Sequence, residues 1–192
     1  MLKFDSNIYP YPSRRNVMYA KNGMVATGSP LAAQAGLEIL KKDGNAIDAA
    51  IATATALTVV EPTANGIGGD AFAIFSIKGK IYGLNSSGYS PKLLEAQELL
   101  NKGFKEVPKY GLTPVTVPGA PKAWAELNKK YGKLPLKEVM APAIKLAKEG
   151  YAIPVNVGKL WKTAANNFEK EQGEEFKYWF DTFTIDGKIP NT

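Results

Sequence analysis

The chain has 192 residues, a formal charge of +6, no cysteine and no histidine. Without Cys there is no disulfide framework and no thiolate zinc site; without His the chain cannot supply a Ser-His-Asp triad or a His-based metal centre by itself. The positive charge sits on scattered lysines, with Arg14 and Arg15 the only arginines, which reads as a solvated surface and not as a nucleic-acid interface built from Arg forks and interleaved aromatics.

Met1-Leu2-Lys3-Phe4-Asp5 has no apolar run behind its charge and does not read as a secretory signal. A cytoplasmic location is the expectation. Residues 1–22 carry Pro, Tyr and Arg without periodicity and read as an extended surface arm, with Arg14 and Arg15 in a surface role. Met24-Val25-Ala26-Thr27 reads as a short buried strand entered through Gly23. Ser29-Pro30 opens a helix, Ser as N-cap and Pro at the first helical position. Leu31, Ala35, Ile39 and Leu40 share one face of that helix, lysines 41 and 42 suit its dipole, and Gly44 is expected to end it in the left-handed conformation.

The next helix follows Gly44-Asn45-Ala46-Ile47-Asp48 and runs to Val60, where Glu61-Pro62 stops it. Between Asp48 and Glu61 there is no charged residue. A helix without a polar face has no solvent side and is expected to be buried all round; it is also too short for a bilayer, which takes about 20 apolar residues. Asn65-Gly66-Ile67-Gly68-Gly69-Asp70 then turns the chain. Phe72–Ile77 and Ile81–Asn85 flank Lys78-Gly79-Lys80 as a β-hairpin, apolar enough for a sheet covered on at least one face. Ser86–Pro91 is a polar turn leaving the sheet, and Leu93–Lys102 a short amphipathic helix closed by Gly103.

Val115-Thr116-Val117 reads as another strand, broken by Pro118-Gly119. Pro121 opens a helix carrying Trp124 and Leu127 that ends at Tyr131-Gly132. Leu136–Lys148 is helical with Pro142 inside, so two short helices or a kink are expected, capped by Gly150. Asn156–Trp179 is helical and aromatic, and a last turn falls at Asp186-Gly187. No repeat, low-complexity tract or linker divides the chain, which is read as part of a single domain over residues 1–192. Helices, a hairpin and more helices make an α+β layering. The few strands cannot cover an uncharged helix on every side, so further protein around it is expected.

The glycine turn invites comparison with phosphate loops, but those follow a strand and open a helix; here the helix comes first and the strand second. The reading is a backbone corner with Asp70 bonding the amides of the turn. Asp48 and Glu61 do not form a catalytic pair, since a helix holds them about 20 Å apart at 1.5 Å per residue; Asp48 is a first-turn carboxylate at a helix N-terminus. Asn85-Ser86-Ser87-Gly88-Tyr89 gathers hydroxyls and an amide at a strand end, where a polar ligand or an ordinary turn fits equally. The aromatic tail from Trp161 to Phe183 reads as core or interface and not as a cofactor box. No metal ligands and no cofactor are expected.

Three segments carry a resemblance: Met24–Ala33, Gly44–Ala50 and Glu61–Asp70. Thr116-Val117-Pro118-Gly119, Tyr131-Gly132 and Ala143–Gly150 follow in the same order. Over residues 13–155 the chain resembles the N-terminal portion of γ-glutamyltranspeptidase-like proteins. The resemblance implies an N-terminal nucleophile hydrolase fold, a four-layer αββα sandwich of which only the N-terminal portion is here. It also implies a precursor that cleaves itself to free a Thr at the start of its second chain. That Thr attacks a γ-glutamyl amide with its own α-amino group as base, so no His is required. On this reading no catalytic residue lies in this chain, which alone is inactive. Its partners are the C-terminal catalytic chain of the same precursor and a small γ-glutamyl or amide substrate, with a homo-oligomer left open; nucleic acid and membrane are not among them.

One departure stands out. True transpeptidases carry an Arg for the substrate α-carboxylate where this chain has Ser87, and many relatives carry one where it has Tyr89. With neither guanidinium present, bidentate carboxylate binding by this segment is lost. Asn85, Ser87 and Tyr89 remain the candidate substrate-binding residues. A related acylase or amidase, a carboxylate clamp from elsewhere, and a self-contained binding or scaffold domain stay open as alternatives.

Overall fold

A computed structural model describes residues 17–171 and 173–190. Arg14, Arg15 and most of the arm lie outside the described residues; residues 17–20 have no regular secondary structure and are exposed. Helix α1 spans Pro30–Lys41 and α2 Ala46–Val60. The hairpin is β1 Ala71–Ile77 with β2 Lys80–Ser86. Then come α3 Ala96–Asn101, α4 Ala120–Tyr131, α5 Leu136–Val139 and α6 Ala141–Glu149. A long α7, Val155–Phe168, a 3-10 turn at Glu174–Phe176 and α8, Trp179–Phe183, complete the order. No helix among the described residues is long and apolar enough to cross a membrane.

α2 is the axis of the fold. Ile47, Ile51 and Ala52 enter a core with Ile39 of α1, Trp124 and Leu127 of α4 and Val139 of α5. Its far end, Ala56 and Val60, packs with Ala32 and Ala35 of α1 and Ala143 of α6. Gly36 and Ala49 let α1 and α2 approach closely: a Cβ at Gly36 would overlap Thr53 Oγ1 and lie 3.1 Å from Ala49 O. The expectation of burial on every side is corrected at Ala46 and Ala50, which are exposed along one stripe of α2.

α2 begins with a closed capping box. Asn45 Oδ1 accepts from Ile47 N–H and Asp48 N–H at 2.9 and 3.0 Å, and Asp48 Oδ2 accepts from Asn45 N–H at 3.1 Å, satisfying amides that no helical carbonyl can reach. α1 ends differently from the expectation. Asp43, at φ 70°, holds the left-handed position. Gly44 follows as the residue whose N–H returns 2.9 Å to Ile39 O, while Asp43 N–H reaches Leu40 O at 3.2 Å, the paired bonds of a Schellman ending. Glycine is needed at 44 for space, because a Cβ there would sit 2.6 Å from Ile39 Cγ2. Ser29 occupies the N-cap of α1, but its hydroxyl makes no capping bond and is buried without a partner among the described residues.

The hairpin forms as read, in register from Ala71↔Ser86 to Ile77↔Lys80. Lys78 and Gly79, at φ 51° and 78°, make the two-residue turn whose twist matches the strands. One face carries Ala71, Ala73, Phe75 and Leu84 onto the core, with Phe75, Tyr82 and Tyr131 rings 5.0–5.5 Å apart. The other bears Phe72, Ile74 and Ile81, all exposed.

Neither predicted third strand forms. Met24–Thr27 and Val115–Val117 have no regular secondary structure and belong to no ladder, because each finds no strand beside it among the described residues. Leu93–Lys102 shortens to α3, and the aromatic tail is interrupted between α7 and α8. Pro142 divides α5 from α6 as expected, and Gly150, at φ 80°, ends α6. The tail forms its own cluster: Phe168 stacks on Trp179 with centroids 5.0 Å apart, and Trp161 Nε1 donates to Phe183 O at 2.9 Å.

Tyr151 ties the chain after α6 back to α2, its hydroxyl donating to Val59 O at 2.9 Å. Burial raises its pKa above the ordinary 10.0. A raised folded-state value means that the native state holds the proton longer than the unfolded chain does. The contribution is therefore whole below pH 10 and is lost as pH climbs through the folded value. Tyr151→Phe is expected to remove that part of the alkaline loss, seen as a smaller fall in melting temperature between pH 9 and 11.5. Identical slopes in both proteins would refute the linkage.

Candidate functional site: a cleft between the end of β2 and helix α4

β2 delivers a run of small polar residues to the sheet edge. Ser86 Oγ donates to Gly119 O at 2.7 Å, and Ser87 N–H donates to Asn85 Oδ1 at 3.0 Å, an Asx turn that fixes the exit from the strand. Residues 115–119 cross this run. Thr116 Oγ1 donates to Ser87 O at 3.3 Å and Val117 N–H to Tyr89 O at 2.9 Å. The crossing is close enough to require glycine twice. A Cβ at Gly88, where φ is 80°, would overlap Val117 O, and one at Gly119 would overlap Ser86 O.

The glycine turn supports the same place from below. Gly69 O accepts from Gly119 N–H and Ala120 N–H at 2.9 and 3.0 Å, so the turn anchors the start of α4. That corrects two expectations. Asp70 accepts no hydrogen bond from the turn amides among the described residues. Tight packing does not explain Gly66 and Gly68 either, since a Cβ at either would meet nothing within 4 Å. Asp48 and Glu61 stand at opposite ends of α2, as read.

Between the β2 exit and the first half of α4 lies an open cleft of about 450 Å³, lined by Asn85, Ser87, Tyr89, Pro118, Lys122 and Glu126 among others. All three sequence-predicted binding residues therefore come together on one wall. Asn85 spends its carbonyl oxygen on the turn and keeps its Nδ2 free among the described residues. Ser87 Oγ has only a 3.5 Å approach to Gly88 O, and Tyr89 is 82% exposed. Lys122 and Glu126 form the other wall, and sequence reading missed them. Their sole signal was opposite charge one helical turn apart on the wet face of an amphipathic helix. The cleft can bind and orient a small polar group; among the described residues lining it, no nucleophile is hydrogen-bonded to a base. No group of three or more acidic side chains that could hold a metal ion occurs among the described residues.

The gamma-glutamyltranspeptidase family profile matches residues 32–192. A cephalosporin acylase structure from Bacillus halodurans superposes with a TM-score of 0.90 at 58% identity, over 99% of this chain and 36% of that one. The Helicobacter pylori gamma-glutamyltranspeptidase structure gives 0.80 at 32% identity, over 90% of this chain and 50% of that one. The glutathione hydrolase proenzyme of Bacillus subtilis (strain 168) is 36% identical over 181 residues, 87% of this chain and 31% of the relative. The fold is thus the N-terminal portion of an N-terminal nucleophile hydrolase sandwich. The chain belongs to the gamma-glutamyltranspeptidase family, and it spans less than a third of that Bacillus relative's length.

Proposed function

We propose that this chain is one part of an enzyme that hydrolyses or transfers γ-glutamyl groups of glutathione-like amides, and that its cleft forms one wall of the acyl-donor site. The observation that carries the reading is the convergence of Asn85, Ser87 and Tyr89 on one cleft, in the segment where the family resemblance puts substrate binding. The nucleophilic Thr is assigned to a second chain released from the same precursor. The bare hairpin face of Phe72, Ile74 and Ile81 supports apolar cover from that remainder. Residues 1–192 are then part of a single domain, and a cytoplasmic location and self-association belong to the same proposal.

The test is made on the full-length protein. Intact mass should show self-cleavage into two chains, and γ-glutamyl anilide should release its aniline through an acyl-enzyme on the new N-terminal Thr. Absence of both cleavage and acyl-enzyme would overturn the reading. A second reading, an acylase of the same family, is favoured by the 58% identity to the cephalosporin acylase and by the neutral residues at 87 and 89. It predicts a higher kcat/KM for acyl amides that lack the amino-acid head than for γ-glutamyl anilide.

Ser87→Arg separates the two further. A guanidinium at this position can take a carboxylate through two parallel hydrogen bonds, and KM for γ-glutamyl anilide is expected to fall about tenfold. An unchanged KM would remove position 87 from the carboxylate subsite.

A further inference from the structure

We infer that Lys122 and Glu126 of α4 are the charged recognition element of the cleft, Lys122 receiving a carboxylate of the acyl donor and Glu126 an ammonium on the same donor. The inference rests on the acyl-transfer reading above and names the substrate head that this site takes. Among the described residues lining the cleft, Lys122 is the single cation and Glu126 the single carboxylate. Positions 87 and 89, where the family resemblance implies a guanidinium, are neutral here, and the chain's only arginines are Arg14 and Arg15. A carboxylate entering this cleft from solvent has Lys122 as its one charge partner among the residues described.

Among the described residues both side chains are uncommitted. Neither makes an ion pair among the described residues, although Lys145–Glu149, in the same order and spacing, closes to 3.9 Å. On the same helix Lys130 is engaged elsewhere, its Nζ 5.3 Å over the Tyr131 ring. The backbone beneath the pair is held. Trp124 and Leu127 are buried on the core side of α4, and its start is tied to Gly69 O and Ser86 Oγ. Residues one turn apart have Cβ atoms about 5–6 Å apart, and both side chains are long. Their heads can therefore converge on the adjacent carboxylate and ammonium of an α-amino-acid head, while Asn85 Nδ2 and Ser87 Oγ face it from the other wall. Lys is a point charge and not a planar fork. Recognition by charge without a fixed hydrogen-bond plane is the consequence.

The experiment uses the full-length, self-cleaved protein with three donors: γ-glutamyl anilide, its α-carboxamide, and its analogue without the α-amine. Lys122→Ala is expected to raise KM for γ-glutamyl anilide and for the amine-free donor about tenfold, as for a lost charged hydrogen bond, and to leave the carboxamide donor unchanged. Lys122→Arg should restore KM. Glu126→Gln should raise KM only for donors that carry the amine, with kcat little moved. Self-cleavage of each variant checks that it has folded, and both positions are solvent-exposed. If Lys122→Ala leaves KM unaltered, or raises it equally for the carboxylate and carboxamide donors, the inference falls while the acyl-transfer reading stands. A cleaved wild-type protein that turns over none of the three donors overturns the acyl-transfer reading itself, and the inference with it.

Discussion

Asp48→Ala is expected to destabilise the fold by about 3 kcal/mol or more, because several buried donors lose their acceptor at once. Asp48 is 0% exposed and accepts four hydrogen bonds. Asn45 N–H lies at 3.1 Å, Lys133 N–H at 2.9 Å, Leu134 N–H at 3.2 Å and Asn128 Nδ2 at 3.1 Å. No cation answers it among the described residues; the Lys133 ammonium is 2.6 Å from Asp43 instead. The carboxylate is held by amide dipoles and by the positive end of α2. Alanine would strand three backbone amides, each costing about 1–3 kcal/mol when unpaired in the interior. Since a whole domain is stable by only about 5–15 kcal/mol, most of the margin would go. Asp48→Asn keeps one acceptor oxygen but turns an NH2 toward other N–H groups, and an intermediate loss is expected. Thermal and urea melts of the full-length protein measure this. A melting temperature for Asp48→Ala within a degree or two of wild type would show that the amides find other partners and that the carboxylate is dispensable.

The same residue marks what the sequence could and could not disclose. That Asp48 sits in a first helical turn is a local fact, readable from Asn45 and the uncharged run behind it. That it also binds the loop at 133 and 134 is not, because those donors are 85 and 86 residues away and nothing at either place names the other. Several local determinants were legible: the hairpin turn at Lys78-Gly79, the break at Pro142 and the stop at Gly150 all act within a turn of themselves. Met24–Thr27 and Val115–Val117 failed as strands for the opposite reason. A strand is a partnership, and β-type residues set an extended backbone without supplying the neighbour that makes a ladder. The left-handed position fell on Asp43, while the glycine at 44 answers to close packing against Ile39.

The candidate site divides along the same line. Asn85, Ser87 and Tyr89 were visible because they follow one another at a strand end, where polar residues have no structural duty toward a core. Lys122 and Glu126 were not. A Lys and a Glu one turn apart on a wet helix face look the same in sequence whether they meet bulk water or the wall of a cleft. What turns that face into a wall is the crossing of residues 86–88 by 116–119, and the crossing is fixed by backbone contacts that leave only glycines as their trace.

On the proposed acyl-transfer reading, Gly119→Ala therefore carries the second large expected effect, a loss of about 10²-fold in kcat/KM of the full-length protein, as follows when a site is displaced by about 1 Å. Its φ of −93° is open to any residue, so the obstacle is space and not backbone conformation. A Cβ there would overlap Ser86 O and lie 2.8 Å from Ser86 C and 3.0 Å from Gly88 N. All of these are backbone atoms, so no rotamer change can relieve the clash and the two crossing segments must separate. Overpacking of this kind costs about 1–3 kcal/mol, while the misplacement acts on both walls of the cleft together, since Gly119 opens α4 and Ser86 closes β2. Two companion variants isolate the cause. Ser86→Ala removes only the 2.7 Å bond to Gly119 O and should cost about 1 kcal/mol with turnover nearly intact. Gly66→Ala adds a Cβ into open space on the same turn system and should be silent in both turnover and melting. Wild-type kcat/KM in Gly119→Ala would show that the acyl donor does not use this cleft, because no donor held between β2 and α4 could be indifferent to their separation.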